Sequence, residues 1–249
     1  MKKPRIILAS NSPRRRELLR EAGYDFTVVP PDDDVECGVC SESGPAGLVA
    51  ELAYRKAAAV ARQLNNATRL SSPQPPAPSP QLPTIILAAD TVAECDGFIL
   101  GKPRDEDDAR SMLTKLSGRD HRVLTGICLW PLLLPLPPVA DALWRGEGRV
   151  APNSPWRGGD RGEGGPLIRV AVTKLRMDTL TDQPLNEYLA GGQWEGKAGA
   201  FGYQDRLGWV HIVEGSASNV VGLPLELLAE MLEEFRAMSR AHGAGSTEA

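Results

Sequence analysis

Short apolar runs that alternate with helix-period runs constrain this chain more than any other feature. RIILAS, residues 5–10, is β-rich and too short for a helix, so it reads as a buried strand. Ser12 then stands as an N-cap with Pro13 at the first helical position. RRRELLREAG continues as a helix with Leu18 and Leu19 inward and Gly23 as its stop. YDFTVVP reads as a second strand, and AGLVAELAYRKAAAVARQL as a long helix with Leu48, Val49, Leu52, Ala53, Ala57, Val60 and Leu64 at helical spacing. TIILAAD is a further strand that ends at Asp90, and TVAECDGFIL a hairpin about Asp96-Gly97. Asp105 caps a helix whose buried stripe is Ala109, Met112, Leu113 and Leu116, ended by Gly118.

The second half repeats the alternation. HRVLTGICLW and LIRVAVTKLRM are strands, TDQPLNEYLAGG is a short capped helix, and PLELLAEMLEEFRAMSR is the last amphipathic helix. The glycine-rich stretch between those two helices, 194–224, reads as loop, strand and loop. This order implies an α/β protein with a mixed, twisted sheet and flanking helices.

Two segments do not fit the alternation. SSPQPPAPSPQLP, 71–83, is a proline-rich connector with no residue suited to chemistry. Residues 131–165 are rich in Pro, Gly and Arg, and read as a long insertion in the turn of one antiparallel hairpin. An RNA-contacting arm is the alternative for that insertion. Its arginines are nearly balanced by Asp141, Glu147, Asp160 and Glu163, which favours an unstructured loop. The expectation is one domain over residues 1–249 that carries both segments.

A formal net charge of −4 excludes a whole-molecule basic field for nucleic acid, so any positive site is local. The opening MKKPRIILAS is too quickly charged for a signal peptide, and no run reaches the ~20 apolar residues of a membrane span. A cytoplasmic protein with no membrane or nucleic-acid partner is expected. Cys37 and Cys40 form a lone C-x-x-C in an acidic loop. With no second pair at metal spacing they read as two reduced thiols rather than half a zinc site or a redox pair.

The chemistry concentrates in three stretches. In ASNSPRRREL, a helix start offers unpaired N–H groups, Ser10 and Ser12 add hydroxyls, and Arg14 and Arg15 add forked guanidinium groups. Three cations there oppose the helix dipole, a cost that a polyphosphate would offset. The alternative is a solvated basic first turn. Asp90 at a strand end is suited to hold a divalent metal or to take a proton from water, and it is equally at home as a plain turn residue. Thr91 follows with a hydroxyl. Lys102 in GKP, with Lys56 and Lys197, is either a cleft cation or solvated, and Glu36 lies in the acidic loop. In KAGAFGYQD the small residues bring backbone close to something, and Gln204 is suited to reading a base edge or to simple exposure.

LASNSPRRRELL, ILAADTVAECDGFILGKPRDEDDARSMLTKLSGRDHRVLTGICL and WEGKAGAFGYQDRLGWVHIVEGSASNVVGLPLELL, in that order, resemble the three signature regions of the Maf family of nucleoside triphosphate pyrophosphatases. The resemblance implies a two-lobed α/β fold similar to inosine triphosphatases, a triphosphate substrate, a divalent cation (Mg or Mn), and hydrolysis to the monophosphate and pyrophosphate. It implies that Asp90 is catalytic and a possible metal ligand, and that Arg14, Thr91 and Gln204 mark the dTTP/UTP subgroup. Ser10, Arg15, Glu36, Lys56 and Lys102 match further pocket positions. Ala217 stands where the family usually carries an aromatic residue. A 7-methyl-GTP type of pyrophosphatase, or a non-catalytic nucleotide-binding regulator of cell division, is the alternative. A homodimer is a further expectation.

Overall fold

The computed structural model describes residues 4–32, 44–71, 84–132, 165–205 and 208–244. Glu36, Cys37 and Cys40, most of the proline-rich connector and nearly all of the insertion lie outside them.

The first strand, β1 (Arg5–Leu8), leads into helix α1 (Pro13–Glu21). Ser12 is its N-cap: its hydroxyl accepts from the Arg15 N–H at 3.4 Å, and Pro13 follows at the first turn. After β2 (Phe26–Val28) comes the long helix α2 (Gly44–Ser71). Strand β3 (Thr84–Cys95) turns through Asp96-Gly97, both with positive φ, into β4 (Phe98–Leu100). Helix α3 (Glu106–Leu116) is capped by Asp105. Strands β5 (Asp120–Leu132) and β6 (Leu167–Met177) are followed by helix α4 (Asp182–Ala190), two 3-10 turns at Ala198–Ala200 and Tyr203–Asp205, strand β7 (Val210–Glu214), and helices α5 (Ala217–Val221) and α6 (Leu225–Ala244).

Seven strands form one mixed sheet in the order β2-β1-β3-β5-β6-β7, with β4 also on β3. The β1 strand runs parallel to β2 and β3, and the other pairings are antiparallel. The hairpin read across the insertion is present: β5 and β6 pair from Asp120↔Arg176 to Leu129↔Leu167. Pro131 and Leu132, expected in the insertion, instead extend β5 and pair with Ile85 and Thr84.

Two further elements differ from their expected extents. The strand read as ending at Asp90 runs on to Cys95, because β5 pairs with it from Thr84 to Glu94. Asp90 is therefore mid-strand, opposite Gly126. The stretch SASNVV, read as loop, forms α5, capped when the Ser216 hydroxyl accepts from the Asn219 N–H at 3.3 Å.

The position of the site follows from an asymmetry of β3. One edge is paired along almost its whole length by β5. The other is taken first by β1, against Thr84–Leu87, and then by β4, against Ala93–Cys95. Among the described residues no strand covers Ala88–Val92 on that second edge. The parallel strand stops and a crevice opens beside it, the place where open α/β sheets bind ligands.

Side-chain alternation along β3 then divides the core. Ile86 and Ala88 face α2 and pack with Ala53, Ala57, Val60 and Cys128. Ile85, Leu87 and Ala89 face α1 and α6, among Leu19, Ile127, Leu228, Met231 and Leu232. A third cluster beyond the crevice joins Ala93, Leu113, Leu116, Val123, Leu175, Met177, Leu189 and Val210. The first two clusters on one side of the crevice and the third on the other form the two lobes. Gly126 lets α2 approach: a Cβ there would lie 2.3 Å from the Val49 carbonyl oxygen.

Candidate active site

The crevice is a cleft of about 680 Å³ lined by the β1–α1 junction, the middle of β3, the loop after β4 and the stretch 195–201. It gathers Ser10, Ser12, Arg14, Arg15, Lys56, Asp90, Thr91 and Lys102. One end is polar and cation-rich. The other is apolar, walled by Ala93, Leu116, Val123, Leu175, Phe201, Val210 and Val220.

On the face that meets α2, Lys56 is 6% exposed and Asp90 8% exposed, and the Lys56 Nζ donates to Asp90 Oδ1 at 2.5 Å. Lys56 sits on the same side of α2 as Ala53, Ala57 and Val60, an alanine-rich stripe that lets the helix lie close to the sheet. Breaking such a buried pair by removing one partner costs about 3–5 kcal/mol, because the other charge is left uncompensated. Lys56, open in the sequence between a cleft cation and a solvated lysine, is thus engaged with the Asp90 carboxylate.

On the opposite face, Thr91 begins a chain of hydrogen bonds. Arg15 donates from Nη2 to Thr91 Oγ1 at 3.1 Å, from Nη1 to Ser10 Oγ at 3.2 Å and from Nε to the Gly222 carbonyl at 2.8 Å. Thr125 donates to the Asn219 carbonyl at 3.2 Å, so Thr91 is the donor in its 3.0 Å contact with Thr125. Asn219 Nδ2 donates to the Val123 carbonyl at 3.1 Å and to Thr173 Oγ1 at 2.8 Å. Arg15 therefore ties the first helix to α5 across β3. Arg14 and Lys102 line the cleft and make no ion pair among the described residues.

Residues 197–205 form a strap beside the apolar end. Lys197 is buried and donates to both oxygens of Asp205 at 2.5 Å. Tyr188 donates to Asp205 Oδ2 at 2.9 Å, and burial followed by the Asp205 carboxylate pushes its hydroxyl well above the usual range, so it stays a donor. Gln204 is exposed on the turn Tyr203–Asp205 and does not line the cleft. His121, which the sequence reading passed over, lines the cleft at 6% exposure with its Nδ1 unbonded among the described residues. Burial holds it below the ordinary histidine range. Asn219, Thr125 and Thr173 were also missed. Only a buried asparagine read against a strand could have signalled them.

Cations with hydroxyls at a strand–helix junction, opposite a lysine-held carboxylate and beside an apolar wall, make a cleft chemically suited to an anionic ligand with a less polar part. A family model described as Maf-like protein matches residues 5–235, and the chain belongs to that family. It is 43% identical to a dTTP/UTP pyrophosphatase of Rhodopirellula baltica, over 92% of this chain and 82% of that protein. A dTTP/UTP pyrophosphatase of Symbiobacterium thermophilum is 36% identical over 96% of this chain and 98% of its own length. One of Ruminiclostridium cellulolyticum is 33% identical over 92% and 95%.

Proposed function

We propose that this protein is a nucleoside triphosphate pyrophosphatase that hydrolyses dTTP and UTP to the monophosphate and pyrophosphate. The observation that carries the reading is the buried Lys56–Asp90 pair in the same cleft as Arg14, Arg15 and Lys102. The names of its relatives support the substrate choice.

The α1 start, Arg14 and Lys102 bind the triphosphate chain, and Arg15 braces Ser10 and Thr91 on its wall. The base lies toward the apolar end, with Thr91 on the cleft wall as its polar reader, while Gln204, expected to share that role, is exposed outside the wall. Water attacks the α-phosphorus, pyrophosphate leaves, and Asp90 takes the proton of that water. Lys56 fixes the orientation of the Asp90 carboxylate.

A magnesium-type cation needs one or two carboxylates, phosphate oxygens and waters, and Asp90 meets that need. No group of three His, Cys, Asp or Glu side chains gathers among the described residues, so the site suits a metal brought with the substrate. When bound, such a cation supplies neutralisation of phosphate charge. The reading places the protein in the cytoplasm, where nucleoside triphosphates are found. Among the described residues no helix is long and apolar enough to cross a membrane.

Product analysis tests the reading. UTP, dTTP, CTP, GTP and 7-methyl-GTP are incubated with the protein and Mg or Mn. Monophosphate and pyrophosphate in equal amounts, fastest from UTP and dTTP, is expected. Release of single phosphates, binding without turnover, or preference for 7-methyl-GTP contradicts it.

A further inference from the structure

We infer that Asp205 is a positioning residue for substrate selectivity, holding the strap 197–205 as the base-side wall of the cleft. The inference rests on the reading that the apolar end receives the base.

Several independent features fix this strap to one carboxylate. Asp205 receives the Lys197 ammonium on both oxygens and the Tyr188 hydroxyl on Oδ2. It also accepts from the Gly202 N–H at 3.2 Å. The ion pair passes so close over Gly202 that a Cβ there would lie 2.7 Å from Lys197 Nζ and 2.8 Å from the carboxylate oxygens. Ala200 is fully buried with φ 59, a conformation that alanine avoids and that persists only where surroundings impose it. Its carbonyl accepts a second contact from Tyr188 Oη at 3.2 Å. The Gly199 N–H donates to the Gly101 carbonyl at 2.9 Å, one residue before Lys102, which stitches the strap to the loop that carries a proposed phosphate ligand. Tyr188 in turn packs against Phe201 and Trp209 at 6.0 and 5.5 Å between ring centroids.

The strap places Lys197, Ala198, Gly199 and Phe201 in the cleft wall. Lys197 is committed to Asp205, so its charge holds backbone rather than phosphate. Loss of the carboxylate therefore shifts this wall and leaves Asp90 on β3 and Lys56 on α2 in place.

The experiment compares kcat and KM for UTP, dTTP and CTP in the full chain and in Asp205→Asn, Tyr188→Phe and Gln204→Ala, with thermal midpoints recorded. Asp205→Asn is expected to narrow the preference for UTP over CTP about tenfold, mainly through KM, as displacement of a pocket wall does. Tyr188→Phe, which keeps the aromatic packing, moves the ratio the same way by less. That variant carries the test if Asp205→Asn does not fold. Unchanged selectivity in both, with selectivity lost in Gln204→Ala, overturns the role of Asp205. Unchanged selectivity in all three overturns it and removes Gln204 from base reading as well.

Discussion

Asp90 gains its chemical meaning from one partner. A carboxylate 8% exposed beside aliphatic residues is costly on its own, and the Lys56 ammonium at 2.5 Å is what offsets that cost. Lys56→Met is expected to lower folding stability by about 3–5 kcal/mol, read by denaturant titration, and to reduce turnover. The double variant Lys56→Met/Asp90→Leu recovers much of the stability and none of the activity. His121 gives a pH signature. Its folded pKa lies below the ordinary value of 6.5, so the unfolded chain takes up the proton first as pH falls. Its contribution is fully present above about pH 6.5 and is lost as pH drops through the depressed folded value. A His121→Leu variant is expected to show a flatter fall of thermal midpoint between neutral and mildly acidic pH. Ser12, Pro13 and Asp105 were legible from sequence because a cap is a local event. Lys56 with Asp90, 34 positions apart, and Thr125 with Asn219, 94 apart, were not, because only the tertiary fold creates those pairs.

Among elements, α2 and the β3–β5 ladder decide whether the cleft works. The helix carries Lys56 and lies against β5 only because Gly126 has no side chain. Gly126→Ala is expected to push α2 outward, cost about 1–3 kcal/mol of stability and cut activity, since Lys56 moves away from Asp90 with the helix. A variant with wild-type turnover and stability would show that the approach is slack. The length of β3 was misread because Asp90-Thr91 interrupts an apolar run, which looks like a strand end. The two threonines at the crossing, Thr91 and Thr125, satisfy each other across the sheet and let β3 continue. Helix α5 was misread as a loop because five residues are too few for a periodic signal.

For the whole molecule, the α/β class and the hairpin spanning the insertion were readable, since strand–helix alternation survives long interruptions. The stretch of β3 between β1 and β4, whose second edge no strand covers among the described residues, makes the cleft and was not readable, because edge assignment depends on pairing order. Pairing of β5 with β6 is complete through Leu129↔Leu167. Replacement of residues 133–164 by a short turn is expected to preserve both that ladder and pyrophosphate release. Loss of activity in a folded deletion variant would bring the insertion into the site.

The proposed hydrolysis turns on a carboxylate that acts on a triphosphate held at the other side of one cleft. Pyrophosphate release from saturating UTP by Asp90→Asn measures this. The rate is expected to fall by at least about two orders of magnitude, the scale of one key electrostatic group, while a non-hydrolysable UTP analogue still binds. Turnover at the unmodified rate would contradict it.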